Sequence, residues 1–274
     1  MTFKLQLFLL FFTIGMCGEV YAQGDLLITP NRVIFEGRKL KEELNLINSG
    51  TETTTFSVSF VQRRMKEDGS FEVVTTEQDG QQFADPYLRI YPRQVTLRAG
   101  EAQVVMLQCR RKPDMEAGEY RSHLYFRSEK NYEALGTKTK DTSRVVSVNL
   151  IPIFGMSIPI IVRSGDTKAI ASITDLKFNN LKEELSLSCL LKRSGNASVY
   201  GDLKVEYISD RGKITEIGGL KGVGVYTEID KRTIRIPLEK KATLQFDKGK
   251  LKVSYTARAD ARSPEVYAEA VLQL

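Results

Sequence analysis

From Leu26 onward the apolar positions fall into short runs that alternate with polar ones. A period of two belongs to β-strands, whose successive side chains point to opposite faces. The runs are rich in Val, Ile, Thr, Tyr and Phe and are bounded by Gly, Pro, Asn and Asp, the residues that make antiparallel turns. The pattern predicts strands at 27–35, 41–49, 54–65, 88–97, 103–110, 118–127 and 145–163, and then at 170–179, 184–192, 201–209, 214–218, 233–237, 242–246, 250–257 and 267–272. Past the N-terminal segment no long window repeats apolar residues at helical spacing. The expected fold class is all-β, with two immunoglobulin-like β-sandwich domains in a bent arrangement. Their spans are 23–164 and 167–274, divided at Ser164-Gly165-Asp166, where a glycine and a charge interrupt the alternation.

One strand stands apart. Val146, Val148, Leu150, Pro152, Phe154, Met156, Ile158, Ile160 and Val162 are nine successive alternate positions, all apolar. Ordinary strands run about 5–6 residues, so this one is long enough to overhang its sandwich. Pro152 and Pro159 lack the N–H that a central strand donates, which places it at an edge. Edges with an apolar row are normally blunted by charge, and one left open is suited to capturing another strand. The same row also reads as a long core strand whose prolines face solvent. Just upstream, 128–144 is mostly polar, with Lys130, Lys138, Lys140 and Arg144, and is expected to be a long solvated loop. Arg32 precedes Val33 in an otherwise apolar first strand. If first and last strands pair near the domain junction, its planar, permanently charged fork faces the cleft and can clamp a carboxylate.

The N-terminus sets the compartment. Lys4, the apolar run Leu5 to Ile14 and the small-residue pattern Val20-Tyr21-Ala22 form a signal peptide over 1–22, cleaved after Ala22. The run is about half the roughly 20 residues needed to cross a bilayer, so an exported chain without stable membrane insertion is expected. The net charge of +6 is spread along the sequence and forms no nucleic-acid stripe. After cleavage two cysteines remain, Cys109 and Cys189, which read as buried free thiols, although an oxidising compartment would permit a bridge. With a single histidine there is no metal-ligand cluster, and no cofactor motif is present. His123 reads as a surface or half-buried strand residue. Gly218, Gly219, Gly222 and Gly224 lack the Lys-Ser/Thr of a phosphate loop and read as a hairpin bend. No nucleophile with a base, carboxylate pair or metal cage supports an enzyme.

Several stretches together resemble the periplasmic pilus and fimbrial assembly chaperones (PapD-like) of the chaperone–usher pathway. These are Asn31-Arg32-Val33-Ile34-Phe35-Glu36-Gly37, Pro92 to Thr96, Leu97-Arg98-Ala99-Gly100-Glu101, Glu119 to Phe126, and the long strand closing on Ile158 to Arg163. The second half resembles the family mainly through Gly195-Asn196-Ala197-Ser198-Val199-Tyr200-Gly201. The resemblance implies a periplasmic chaperone that caps pilus subunits by donor-strand complementation and delivers them to an outer-membrane usher. It assigns Val146, Val148, Leu150, Phe154, Met156 and Ile158 to the donor strand and Arg32 to the subunit's C-terminal carboxylate. Glu119 and Arg163 would fix the angle between domains. The family's second basic anchor falls at Pro159, so the chain departs from the pattern there, with Arg163 as a candidate substitute. Whether the free chain caps its own edge by dimerising is left open. The competing reading is a secreted or surface immunoglobulin-like structural or adhesion protein that donates no strand.

Overall fold

The computed structural model describes residues 26–129, 153–180, 185–240, 246–258 and 265–274. The signal segment, Val146, Val148, Leu150 and Pro152 of the long strand, residues 130–144 of the expected loop and most of the strand expected at 242–246 lie outside them.

Among the described residues the first sandwich contains β1 (Leu26–Thr29), β2 (Val33–Phe35), β3 (Lys41–Asn48), β4 (Thr54–Met65), β5 (Phe71–Val74), β6 (Leu88–Tyr91), β7 (Gln94–Leu97), β8 (Ala102–Cys109), β9 (Gly118–Glu129) and β10 (Gly155–Ser164). One sheet has the order β1-β3-β8-β6 and the other β2-β10-β9-β4-β5, with β7 also paired to β4. The second sandwich contains β11 (Ala169–Asn180), β12 (Leu185–Gly195), β13 (Val199–Ile208), β14 (Ile214–Val225), β15 (Lys231–Pro237), β16 (Lys250–Ala257) and β17 (Val266–Gln273). Its sheets run β11-β12-β15 and β14-β13-β16-β17. The fold is all-β, two immunoglobulin-like sandwiches, each closed on its own apolar core.

Alternation produces these cores directly. In β3 and β8, Leu44, Leu46, Val105 and Leu107 point inward and are fully buried, and across the layer they meet Phe35, Phe56, Leu124, Phe126 and Ile160. At about 25 cal/mol per Å² of apolar surface removed from water, such interdigitating rows are the main favourable term for each sandwich. Cys109 lies in the first core and Cys189 in the second, both as free thiols. Burial raises both above the ordinary thiol range, Cys189 to about 11, and keeps them protonated.

Four expectations need correcting. The segments 27–35 and 88–97 each divide into two strands that belong to different sheets: β1 pairs with β3 while β2 pairs with β10, and β6 pairs with β8 while β7 pairs with β4. Pro30 and Pro92 stand at the two switches, where a residue without an N–H breaks the ladder. The apolar pattern runs straight through because both halves face the same core. The glycine-rich stretch is not a hairpin bend: β14 continues through it to Val225, paired with β13. Gly218 and Gly219 press against the carbonyls of Pro237 and Leu203, where a side chain would collide. Gly222, at φ +69°, donates its N–H to Asp202 Oδ1 at 2.7 Å. The expected loop begins later than 128, since Ser128 and Glu129 belong to β9.

The position of β10 matters most. It pairs with β9 along its full length, antiparallel, but with β2 only over Ile160 to Val162, parallel. It is therefore internal at its C-terminal end, and among the described residues it has a strand on one side only from Gly155 to Pro159.

Candidate functional site

Part of the expected apolar row lies at the start of β10 and just before it, since β10 begins at Gly155 and Phe154 of the strand expected at 145–163 falls outside it. Phe154 and Met156 are 43% and 40% exposed, as is the neighbouring Ile153 at 43%. Ile158, two residues on, is instead buried in the first core with Ile160 and Val162. The backbone at Phe154 is held in place: its carbonyl accepts from the Ser128 N–H at 2.9 Å, and its own N–H donates to Ser128 Oγ at 3.1 Å. A fixed backbone with exposed apolar side chains and, among the described residues, a strand on one side only has the features of an open sheet edge.

At the root of this edge the outer face of the same sheet meets the second sandwich, and cross-strand register decides which side chains gather there. Pro159 sits opposite His123, and His123 opposite Val61. Two residues along, Ile161 sits opposite both Arg121 and Ile34. Counting by twos along β4 from Val61 puts Arg63 and then Met65 on that face, with Phe71 opposite Met65. Arg32 enters from the switch between β1 and β2. A small cluster of Met65, Ile161 and Tyr226 packs where this face meets the second sandwich.

Two ionic arrangements tie the sandwiches together. Arg121 Nη2 donates to Glu228 Oε1 at 2.5 Å and to the Arg63 carbonyl at 2.8 Å, while Glu228 Oε1 also accepts from the Met65 N–H at 2.7 Å. The pair is deeply buried, its side chains 4% and 1% exposed, and the Arg121 guanidinium lies 3.8 Å from the centre of the Tyr226 ring. In the second arrangement Arg163 donates to Glu119 Oε2 at 3.2 Å, to Glu36 Oε2 at 3.1 Å and to the Ser198 carbonyl at 3.3 Å. Glu119 Oε2 accepts from the Ser198 N–H at 3.0 Å, and its own N–H donates to the Asn196 carbonyl at 3.1 Å. Glu119 and Arg163 thus lie at the junction, against the run from Gly195 to Gly201.

Arg32 is placed differently. Its Nη1 donates to the Tyr226 hydroxyl at 2.7 Å, its Nη2 reaches Ser198 Oγ at 3.5 Å, and its guanidinium lies 4.2 Å from the centre of the Tyr200 ring. It lines a pocket of about 290 Å³ between the sandwiches, together with Arg63, His123, Pro159, Tyr200 and Tyr226. Among the described residues no carboxylate lines this pocket. The Nε atoms of Arg32 and Arg63 and the Nδ1 of His123 are buried without a hydrogen-bond partner. Burial first, and then the charges of Arg121, Arg63 and Arg32, push His123 down to about 3, so the ring is neutral. Chemically the pocket is a preformed positive site, walled by aromatic rings and suited to an anion.

Sequence reasoning passed over Arg63, Arg121, Tyr200, Tyr226 and Glu228, and it took His123 for a surface or half-buried residue, although it is only 4% exposed. The available signal was a polar row, Arg63 on one strand and Arg121 and His123 on another, each backing an apolar row. That signal equally describes a solvated sheet face. Arg163, the candidate second base for a carboxylate, does not line the pocket, and its donors serve Glu119, Glu36 and the Ser198 carbonyl.

No family model matches the chain, and no curated protein matches it. Among solved structures, the YadV chaperone aligns with 92% of this chain and 100% of its own at 13% identity and a TM-score of 0.45. The class 5 fimbriae chaperone CfaA aligns over 90% and 98% at 12% identity and a TM-score of 0.45. The Pseudomonas aeruginosa CupB2 chaperone aligns over 90% and 100% at 11% identity and a TM-score of 0.42. Each of these alignments spans most of both chains, at low identity and with limited agreement in detailed geometry.

Proposed function

We propose that this chain is an exported, strand-donating chaperone that caps incomplete immunoglobulin-like pilus subunits and passes them to an outer-membrane usher, without covalent chemistry. The observation that carries the reading is the one-sided pairing of β10 from Gly155 to Pro159, with Phe154 and Met156 exposed on a tethered backbone. A partner lacking a strand gains main-chain hydrogen bonds along this side, and the alternate apolar side chains fill its open core. Ile158 is committed to the chaperone's own core, so the donated row starts at Met156 and extends toward the N-terminus through Phe154 to Leu150, Val148 and Val146. Arg32 receives the partner's terminal carboxylate at the base of the edge. Glu119 and Arg163 hold the two sandwiches in the relation that keeps the pocket beside the edge. The partner class and the periplasmic compartment follow from the sequence resemblance around Arg32 and β10 and from the signal segment.

The test is co-expression with a pilus subunit in a bacterial periplasm, followed by size-exclusion chromatography and mass spectrometry. A stable one-to-one complex is expected for the wild type. Phe154→Asp should lose it while melting like the wild type, because a charge inserted into the partner's core costs several kcal/mol and the free side chain is already exposed. Normal capture by Phe154→Asp would sink the donated-edge reading. The same column reports whether the free chain dimerises through its own edge.

A further inference from the structure

The pocket at the root of the edge contains more than Arg32 needs. Register brings Arg63 to the same sheet face as His123 and Pro159, and all three line the cavity with Arg32. Arg63 meets no carboxylate among the described residues, and its Nε is buried and unpartnered. His123 is more than nine-tenths buried, and its Nδ1 has no partner either. Burying cationic and polar donors without an acceptor is costly unless a ligand supplies one. On β10 itself, Pro159 offers no side-chain donor at the corresponding position, and Arg163 is occupied by Glu119 and Glu36.

We propose that Arg63, on β4, is the second cation of this pocket and that Arg32, Arg63 and His123 Nδ1 together form a three-point site for the terminal carboxylate of the captured chain. This rests on the strand-capture reading above. Two guanidiniums offer planar, paired donors to the two carboxylate oxygens, and the neutral imidazole adds a hydrogen bond without adding charge. The rings of Tyr200 and Tyr226, from the second sandwich, hold Arg32 in place, so the site is complete only when both sandwiches are present.

The probe is a short N-acetylated peptide of alternating valine and threonine that ends in a free carboxylate, compared with its C-terminal amide. Each is titrated into the exported chain while the imidazole signals of His123, the only histidine of the chain, are followed by NMR. The acid should move these signals and bind more tightly than the amide. Arg63→Gln should weaken binding of the acid about tenfold, as expected for loss of one charge-assisted contact, and leave the amide unaffected. Arg98→Gln, which removes an exposed charge of the same sign, should change neither. Equal binding of acid and amide, unchanged affinity in Arg63→Gln, or no response of His123 to either peptide overturns the three-point site. The donated edge is judged separately by Phe154→Asp in the complex assay, and an acid-specific shift of His123 would keep the pocket even if that edge failed.

Discussion

Arg121 and Arg163 meet carboxylates where the two sandwiches touch, whereas Arg32 and Arg63 line the same junction and meet none among the described residues. All four side chains project from strands or switches of the first sandwich, so local sequence does not separate them. Their partners do. A buried guanidinium with a carboxylate beside it is committed to holding the structure, because withdrawing either charge strands the other in a poorly solvated place. A guanidinium held by aromatic rings, with no anion nearby, keeps its charge available to a ligand. The contrast divides the junction into a structural side and a receptive side.

The sharpest way to break the comparison is on the structural side. Glu228→Ala leaves Arg121 buried and uncompensated and also removes the acceptor of the Met65 N–H. It should cost about 3–5 kcal/mol, the range for breaking a buried pair, read as a clear fall in the melting temperature. A variant as stable as the wild type would mean the pair contributes nothing net. Next comes acid sensitivity. His123 is neutral in the folded chain down to about 3 against an ordinary value of 6.5, so below that ordinary value the unfolded chain binds a proton the folded chain refuses. Stability contributed by the neutral ring is full above pH 6.5 and is lost progressively as pH falls toward 3, on the order of a few kcal/mol in all. Chemical denaturation across that range should show a steeper acid-side decline in the wild type than in His123→Gln, and parallel curves would contradict the assigned burial. Smallest is the exchange between the two sides. Arg163→Ala should lower stability by about 1–3 kcal/mol through its charged hydrogen bonds, whereas Arg32→Ala should cost about 1 kcal/mol of ring contact and yet weaken subunit capture more. If the two variants ranked the other way in capture, the receptive side would be misassigned.

Much of the fold was legible because binary alternation is a local signal. The strands at 54–65 and 250–257 coincide with β4 and β16, since nothing in those runs competes with the period of two. The failures share a cause as well. At Pro30 and Pro92 the chain changes sheet while its apolar side keeps facing one core, so the pattern continues although the pairing does not. At Gly218 to Gly224 the sequence offers turn residues, but close approach of neighbouring backbone requires glycine inside a strand. Phe71 to Val74 escaped notice because a short, mostly exposed strand has no inward row to reveal it. In the site, Arg32 stood out as a charge at the edge of an apolar run. Arg63 and His123 did not, because a polar row on the back of a strand looks the same whether it faces water or a second domain.

The sequence by itself determined the class of structure and its two cores, because whether a residue points inward or outward along a strand follows from its place in an alternating run. It also determined that an unusually long apolar row closes the first half and that an arginine stands beside the first strand. Tertiary structure alone decided that, among the described residues, the closing part of this row is paired on both sides over Ile160 to Val162 and on one side from Gly155 to Pro159. It alone decided which arginines find carboxylates and which do not, and that a lone histidine becomes buried among three of them. Those outcomes depend on cross-strand register and on the docking of one sandwich against the other, which bring together residues as distant in sequence as Arg32 and Tyr226. Charge and hydrogen bonding act over a few ångströms, so what such residues do is set by neighbours that the linear order does not contain.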